Sequence, residues 1–155
     1  MRKNTGFTLI EVLIATAILV TAILSTLSLL THSLSLAEGD REIAVIQYET
    51  EREMERICAL DYTTIRDTYT NAGALRQTSI ANITNNLDRS GTVYAQELAV
   101  DGLIRIKVVV CHRQKNHAIG EDANFNGILD GGEDANGNGE LDSPCQIETV
   151  VANKI

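Results

Sequence analysis

The chain of 155 residues lacks the residue sets on which most catalysis depends. No Gly-rich phosphate loop, nucleophile elbow or HExxH sequence occurs. His32, His112 and His117 are too scattered to form a metal set, and the last two, near a strand end, read as surface residues. An enzyme has nothing to be built from here. The three cysteines, Cys58, Cys111 and Cys145, form no CxxC pair and no zinc-ligand spacing. Positive charge is scarce: 13 Lys and Arg stand against 21 Asp and Glu, a formal net charge of -8. Phosphate contact needs a basic face, so no nucleic-acid partner is expected. The one proline is Pro144, which leaves no proline to kink a helix in the first two thirds of the chain.

What is present begins at the N-terminus. A short basic leader, Met1 to Gly6, precedes an apolar run from Phe7 to about residue 36 that carries one charge, Glu11. A membrane span needs ~20 residues, so the run is long enough. Arg2 and Lys3 ahead of it place the start in the cytoplasm and the remainder outside, as a single-pass inner-membrane protein. A secretory signal has its small-residue cleavage site after the apolar region. Here the small residue, Gly6, comes before it, so cleavage leaves the hydrophobic segment on the mature protein. A lone carboxylate inside such a segment is costly and calls for a partner.

The order Gly6-Phe7-Thr8-Leu9-Ile10-Glu11 resembles the processing site of type IV prepilins and of type II secretion pseudopilins. The resemblance covers residues 1 to about 36. It implies cleavage between Gly6 and Phe7 by a membrane-bound prepilin peptidase, then methylation of the new Phe7 amine. It also implies that Glu11 pairs with the N-terminal amine of a neighbouring subunit during assembly, and that the partners are other pilin or pseudopilin subunits met through the N-terminal helix. A carboxylate beside an ammonium keeps its charge, whereas an unpaired buried one tends to protonate. Pilins often carry a proline partway along this helix; this segment has none, and Gly39 offers a softer break.

Beyond residue 40 the spacing predicts an amphipathic helix to about residue 60. Ile43, Ile46, Thr50, Met54, Ile57 and Leu60 form one stripe, and Glu42, Glu49, Arg52, Glu53 and Arg56 occupy the other sides. Glu49 with Arg52 and Glu53 with Arg56 are i, i+3 pairs, and Tyr48 and Tyr62 read as packing residues. This stretch looks like the corresponding helix of minor pilins. Residues 63 to 91 are turn-rich, with Asn71-Ala72-Gly73 and Asn85-Asn86 as turn material. Strands are expected at Thr92 to Val100, at Leu103 to Cys111 with Ile104, Ile106, Val108 and Val110 on one face, and at Gln146 to Ala152. Asp101-Gly102 would turn the first pair.

Between the last two strands lies GEDANFNGILDGGEDANGNGELDSP, Gly120 to Pro144, with a repeat of period twelve. Its first copy fits the calcium-loop pattern in full. Calcium takes six to eight oxygens, here from Asp122, Asn124, Asn126, the Ile128 carbonyl, Asp130 and Glu133, with Gly127 at the sharp turn and Leu129 tying the loop to its surroundings. The second copy supplies Asp134, Asn136, Asn138, Glu140 and Asp142, but its twelfth position is Cys145. A second ion therefore needs Asp142, Glu148 or a shared Glu133 to close its shell. No lysine or arginine lies in the insert, which rules out a phosphate site. Cys111 and Cys145 bracket it, and a disulfide between them is expected. Cys58 reads as a buried free thiol, with its pairing to either of the others left open.

The expectation is therefore an α+β protein: leader 1–6, membrane and filament-core helix 7–36, and a head over 37–155 whose helix packs on a small antiparallel sheet within residues 92–155 and whose calcium insert spans 120–144. It is read as a structural subunit of a type IV pilus-like filament, outside the cell or in the periplasm after assembly, with a head serving subunit contacts or adhesion. A type II secretion pseudopilin is the near alternative. A membrane-tethered calcium-binding module that never polymerises is the distant one.

Overall fold

One long helix and one antiparallel sheet account for most of the computed structural model, which describes residues 8–71, 74–84, 88–100 and 102–153. The leader, the Gly6–Phe7 junction and the expected turn residues Ala72-Gly73, Asn85-Asn86 and Asp101 lie outside these. The element order is α1 (Leu9–Cys58), α2 (Tyr62–Tyr69), β1 (Arg76–Ser79), α3 (Ala81–Thr84), β2 (Arg89–Glu97), β3 (Leu103–Gln114), β4 (His117–Ile119) and β5 (Gln146–Ala152). The chain divides into two units, residues 1–41 and 42–155.

The first unit holds the apolar part of α1. It is long and apolar enough to cross a membrane, with a mean hydropathy of 2.4 and none of that window buried. The second unit begins at Glu42. There α1 turns Ile46, Thr50, Met54 and Ile57 onto the sheet, four members of the expected stripe. α1 is assigned as helix through Gly39, so the softer break does not occur there. Tyr48 is exposed rather than packed, while Tyr62 does pack against the core. Glu53, expected on an outer side, is buried beside Arg56, its ion-pair partner at i+3. Glu49 reaches across to Arg89 on β2 at 2.9 Å.

The sheet runs β1-β2-β3-β4, with β5 also on β3, all antiparallel. β3 is the spine: β2 covers one edge, and β5 and β4 share the other end to end. The three expected strands are β2, β3 and β5; β1 and β4 are additions. β2 starts three residues earlier than expected and ends at Glu97, so a longer loop closed by Leu98 and Leu103 replaces a two-residue turn. β3 runs on to Gln114 and turns at Lys115 and Asn116, both at positive φ (46° and 71°), into β4. Such a two-residue turn matches the twist of the strands.

Both faces of the sheet are covered. On one, Ile104, Ile106 and Val108 meet Met54, Ile57, Ile65 and Tyr69 from the helices. On the other, Tyr94, Val109 and Cys111 pack with Phe125 and Leu141 from the insert. The insert is therefore a third layer with an apolar contact of its own. Burial of a side chain such as Phe125 is worth ~1.5–3 kcal/mol, enough to offset its own left-handed backbone (φ 59°), which costs ~1–2 kcal/mol.

The expected Cys111–Cys145 disulfide is not formed; both are free thiols. The register gives the reason. Cys145 stands opposite Val110, whose N–H donates to its carbonyl at 3.0 Å, and it packs with Val110 and Ile46 on the helix side. Cys111 is one residue further along β3 and faces the insert. A one-residue offset in a strand reverses the face. Cys58 is exposed, not buried.

Candidate functional site

The insert folds as two loops with the same backbone. Phe125 and Gly137, twelve residues apart, have φ of 59° and 74°; Gly127 and Gly139 have 74° and 79°. In the first loop the Asp122 carboxylate accepts from Gly127 N (2.7 Å) and Asn126 N (3.3 Å). In the second, Asp134 accepts from Gly139 N (2.9 Å) and Asn138 N (3.0 Å). The amides of Asn124 and Asn126 meet one oxygen of Asp130 at 2.8 and 2.7 Å. Asn136 and Asn138 meet one oxygen of Asp142 at 2.6 and 2.7 Å. Side chains one, three, five and nine of each copy thus converge, as the repeat spacing demands.

The closing carboxylates complete the symmetry. Glu133 accepts from Ala123 N (3.0 Å) and Asp130 N (3.1 Å) of the first loop. The corresponding N–H groups of the second loop, Ala135 (3.1 Å) and Asp142 (2.9 Å), donate to Glu121. Glu121 therefore stands where the twelfth residue, Cys145, cannot serve. Sequence reasoning missed it, although the signal was there: Gly120-Glu121-Asp122-Ala123-Asn124 recurs as Gly132-Glu133-Asp134-Ala135-Asn136. Glu148 and Glu133, the other carboxylates near enough in sequence to close the second loop, are committed elsewhere, Glu148 to Arg105 at 2.8 Å and Glu133 to the first loop.

The two loops differ in their ties to the sheet. The first docks through backbone: the Gly127 carbonyl accepts from Thr92 Oγ1 (2.8 Å) and Gln77 Nε2 (3.2 Å). A Cβ at Gly127 would lie 2.6 Å from Ser79 Oγ, so the close approach needs glycine. The second docks through charge. Lys107, buried on β3, donates to Glu140 (3.0 Å) and Asp142 (2.5 Å), and Arg105 forks onto Glu140 (2.6 and 3.0 Å). Burial acts to raise Glu140 and Asp142, but Lys107, with Arg105 on Glu140 and the two amides on Asp142, outweighs it and holds both carboxyls low. Glu140 thus has only its carbonyl left for an ion, and Asp142 is already shared with an ammonium. Tyr94 O–H accepts from Leu141 N at 2.8 Å and fixes the end of this loop.

The donor set suits a hard cation. Apart from two amide nitrogens per loop it is all oxygen, and it converges from alternate residues. Carboxylates alone do not make the site: among the described residues no three His, Cys, Asp or Glu side chains stand together as a metal group. A cation held here would need amide and carbonyl oxygens as well, and Asn124, Asn126, Asn136 and Asn138, whose side-chain nitrogens now meet Asp130 and Asp142, would have to turn their oxygens inward.

The second feature is the start of α1. Thr8 N and Thr8 Oγ1 both donate to Glu11 (2.8 Å each), and Glu11 N–H returns a bond to Thr8 Oγ1 at 3.4 Å. This is a capping box, the T-x-x-E arrangement that satisfies two orphan donors at a helix start. Glu11 therefore has a local role in the single chain, independent of any neighbour, that the T-x-x-E spacing could have revealed.

His112, expected on the surface, is buried. No curated protein and no solved structure matches this chain. Residues 1–29 match the prokaryotic N-terminal methylation motif, and the chain thus carries the prepilin signature of type IV pilins and pseudopilins.

Proposed function

We propose that this chain is a structural subunit of a type IV pilus-like filament whose head is stabilised by two calcium ions. The single observation that supports the filament role is the methylation motif over residues 1–29, placed at the head of an apolar helix of membrane length. Prepilin peptidase cuts between Gly6 and Phe7, and the Phe7 amine is methylated. The helix waits in the inner membrane with its start on the cytoplasmic side. On assembly, Glu11 leaves its bond to Thr8 and pairs with the Phe7 amine of a neighbour. A charge pair of that kind in an apolar filament core is retained because neither partner can be removed without leaving the other uncompensated.

In the head, Asp122, Asn124, Asn126, Ile128 O, Asp130 and Glu133 hold one ion. Asp134, Asn136, Asn138, Glu140 O, Asp142 and Glu121 hold the other. Calcium bound there supplies positive charge at the point where each loop gathers its oxygens. The exchange of closing residues, Glu133 for the first loop and Glu121 for the second, ties each loop to the start of the other. The head then presents a rigid third layer to solvent or to neighbouring subunits.

The test is fractionation of cells producing a C-terminally tagged chain. A shorter form in sheared filaments, lost when the prepilin peptidase gene is deleted, is the expected result. A chain that stays full length and membrane-bound in peptidase-proficient cells contradicts it. The same motif heads pseudopilins, and the fraction is diagnostic there too: dependence on the secretion machinery rather than the pilus machinery assigns the filament.

A further inference from the structure

His112 follows Val110 on the helix-facing side of β3, between Arg89 of β2 and Ile119 of β4. It is 2% exposed, and neither ring nitrogen has a hydrogen-bond partner. Among the described residues it is the one buried side chain left in that condition. A cavity of about 160 Å³ opens beside it, lined by Glu42, Ile46, Asp88, Arg89, His112 and Arg113. α1 contributes Glu42 and Ile46, and also carries Glu49, the partner of Arg89; Asp88 precedes β2, Arg89 begins it, and Arg113 comes from β3. Glu49 is occupied by Arg89 at 2.9 and 3.0 Å, and Arg113 stands 3.8 Å from Asp88. β4 offers apolar Ile119. Among the described residues, Glu42 is the one carboxylate around the ring with no such pairing.

We propose that His112 is an acid-sensitive latch: while its imidazole is neutral the first head turns of α1, around Glu42 and Ile46, stay seated on the sheet, and protonation unseats them. A neutral imidazole without partners is tolerable in an apolar site, whereas a buried imidazolium without an acceptor is not. Burial pushes the His112 ring below the ordinary histidine range, Arg89 pushes it further, and Glu42 opposes both. The folded value lies below the unfolded one, so the unfolded or opened state binds the proton more readily. The stabilisation is complete above about pH 6.5, the ordinary value, and is lost as pH falls through the folded value. Ile46 packs with Val110 and Cys145 on the same side of the sheet, so this is the contact that opening breaks.

The test is hydrogen exchange on the full chain in detergent micelles, with histidine titration by NMR. The His112 signal is the one that disappears in His112→Phe. It should titrate below ~6.5, and the opening constant for the segment around Ile46 should rise by up to about tenfold per pH unit below that value. His112→Phe should remove this dependence. Glu42→Gln, which keeps the fold's apolar contacts, should lower the His112 midpoint further. A midpoint at or above the ordinary value, or an acid response that persists in His112→Phe, overturns the proposal. Should His112→Phe not fold, the signal is assigned by sequential NMR, and a Glu42→Gln midpoint that stays put or rises overturns it equally.

Discussion

Replacing Lys107 by Met tests how the insert is fastened to the sheet. The Lys107 ammonium bridges Glu140 and Asp142 from a position 4% exposed. Met keeps the stem against Tyr94, over which Lys107 Nζ now sits at 5.9 Å, and removes only the charge. Breaking a buried ion pair at one partner costs ~3–5 kcal/mol. Glu140 keeps both bonds from Arg105, and Asp142 keeps both asparagine amides. The loss therefore belongs at the lower end, about 3 kcal/mol, or roughly 10–20 °C in Tm for a domain of this size. The assay is thermal unfolding of the full chain in micelles, first with EDTA and then with calcium. Without metal the variant should melt well below the wild type. With calcium the gap should narrow, because Asp142 no longer shares its carboxylate with an ammonium and serves the second loop better. A metal-free loss of only a degree or two would refute the fastening role. A calcium increment no larger than that of the wild type would refute the competition between Lys107 and the ion.

The closing carboxylates give a stoichiometric prediction: wild type should take two calcium ions in calorimetric titration, and Glu121→Gln and Glu133→Gln should each weaken one; two undiminished sites in Glu121→Gln would sink the assigned role of that residue. Calcium at a hundredfold excess over Kd should stabilise the head by ~2.7 kcal/mol per site, read as a rise in Tm that EDTA reverses. Gly127→Ala should cost more than ~1 kcal/mol, because φ is +74° and the new methyl meets Ser79 Oγ; a neutral substitution would show that the first loop does not dock on β1 and β2. For Glu11, Gln preserves an oxygen acceptor for Thr8 while Ala does not, so Glu11→Gln should keep the helix start ordered yet fail to enter filaments. Incorporation of Glu11→Gln at the wild-type level would reduce Glu11 to a helix cap.

The central sheet could be read in the sequence because its signals were strong. Ile104, Ile106, Val108 and Val110 alternate on β3 and all prove fully buried. Of the helix stripe, Ile46, Thr50, Met54 and Ile57 are buried, while Ile43 at its start is exposed and Leu60 at its end is half-buried. The back face could not be read, because Arg105, Lys107, Arg113 and Val109 look like a solvated mixture. They are covered by an insert whose carboxylates and aromatic ring answer each of those cations: Glu140 and Asp142 the first two, Phe125 the third, at 5.1 Å. β4 was missed since Lys115-Asn116 is a poor turn signal by composition, though the backbone adopts the hairpin conformation all the same. The disulfide expectation failed on register. Cys111 and Cys145 bracket the insert in sequence, but only the strand pairing tells which face each side chain takes. In the loops, the converging side chains were legible from spacing except for Glu121, which lies before the repeat it completes.

Processing at Gly6 is measured most directly by intact-mass spectrometry of the native protein. The predicted species begins at Phe7 and carries one methyl group on its amine. A chain beginning at Met1, or one cut after the apolar run, would contradict it.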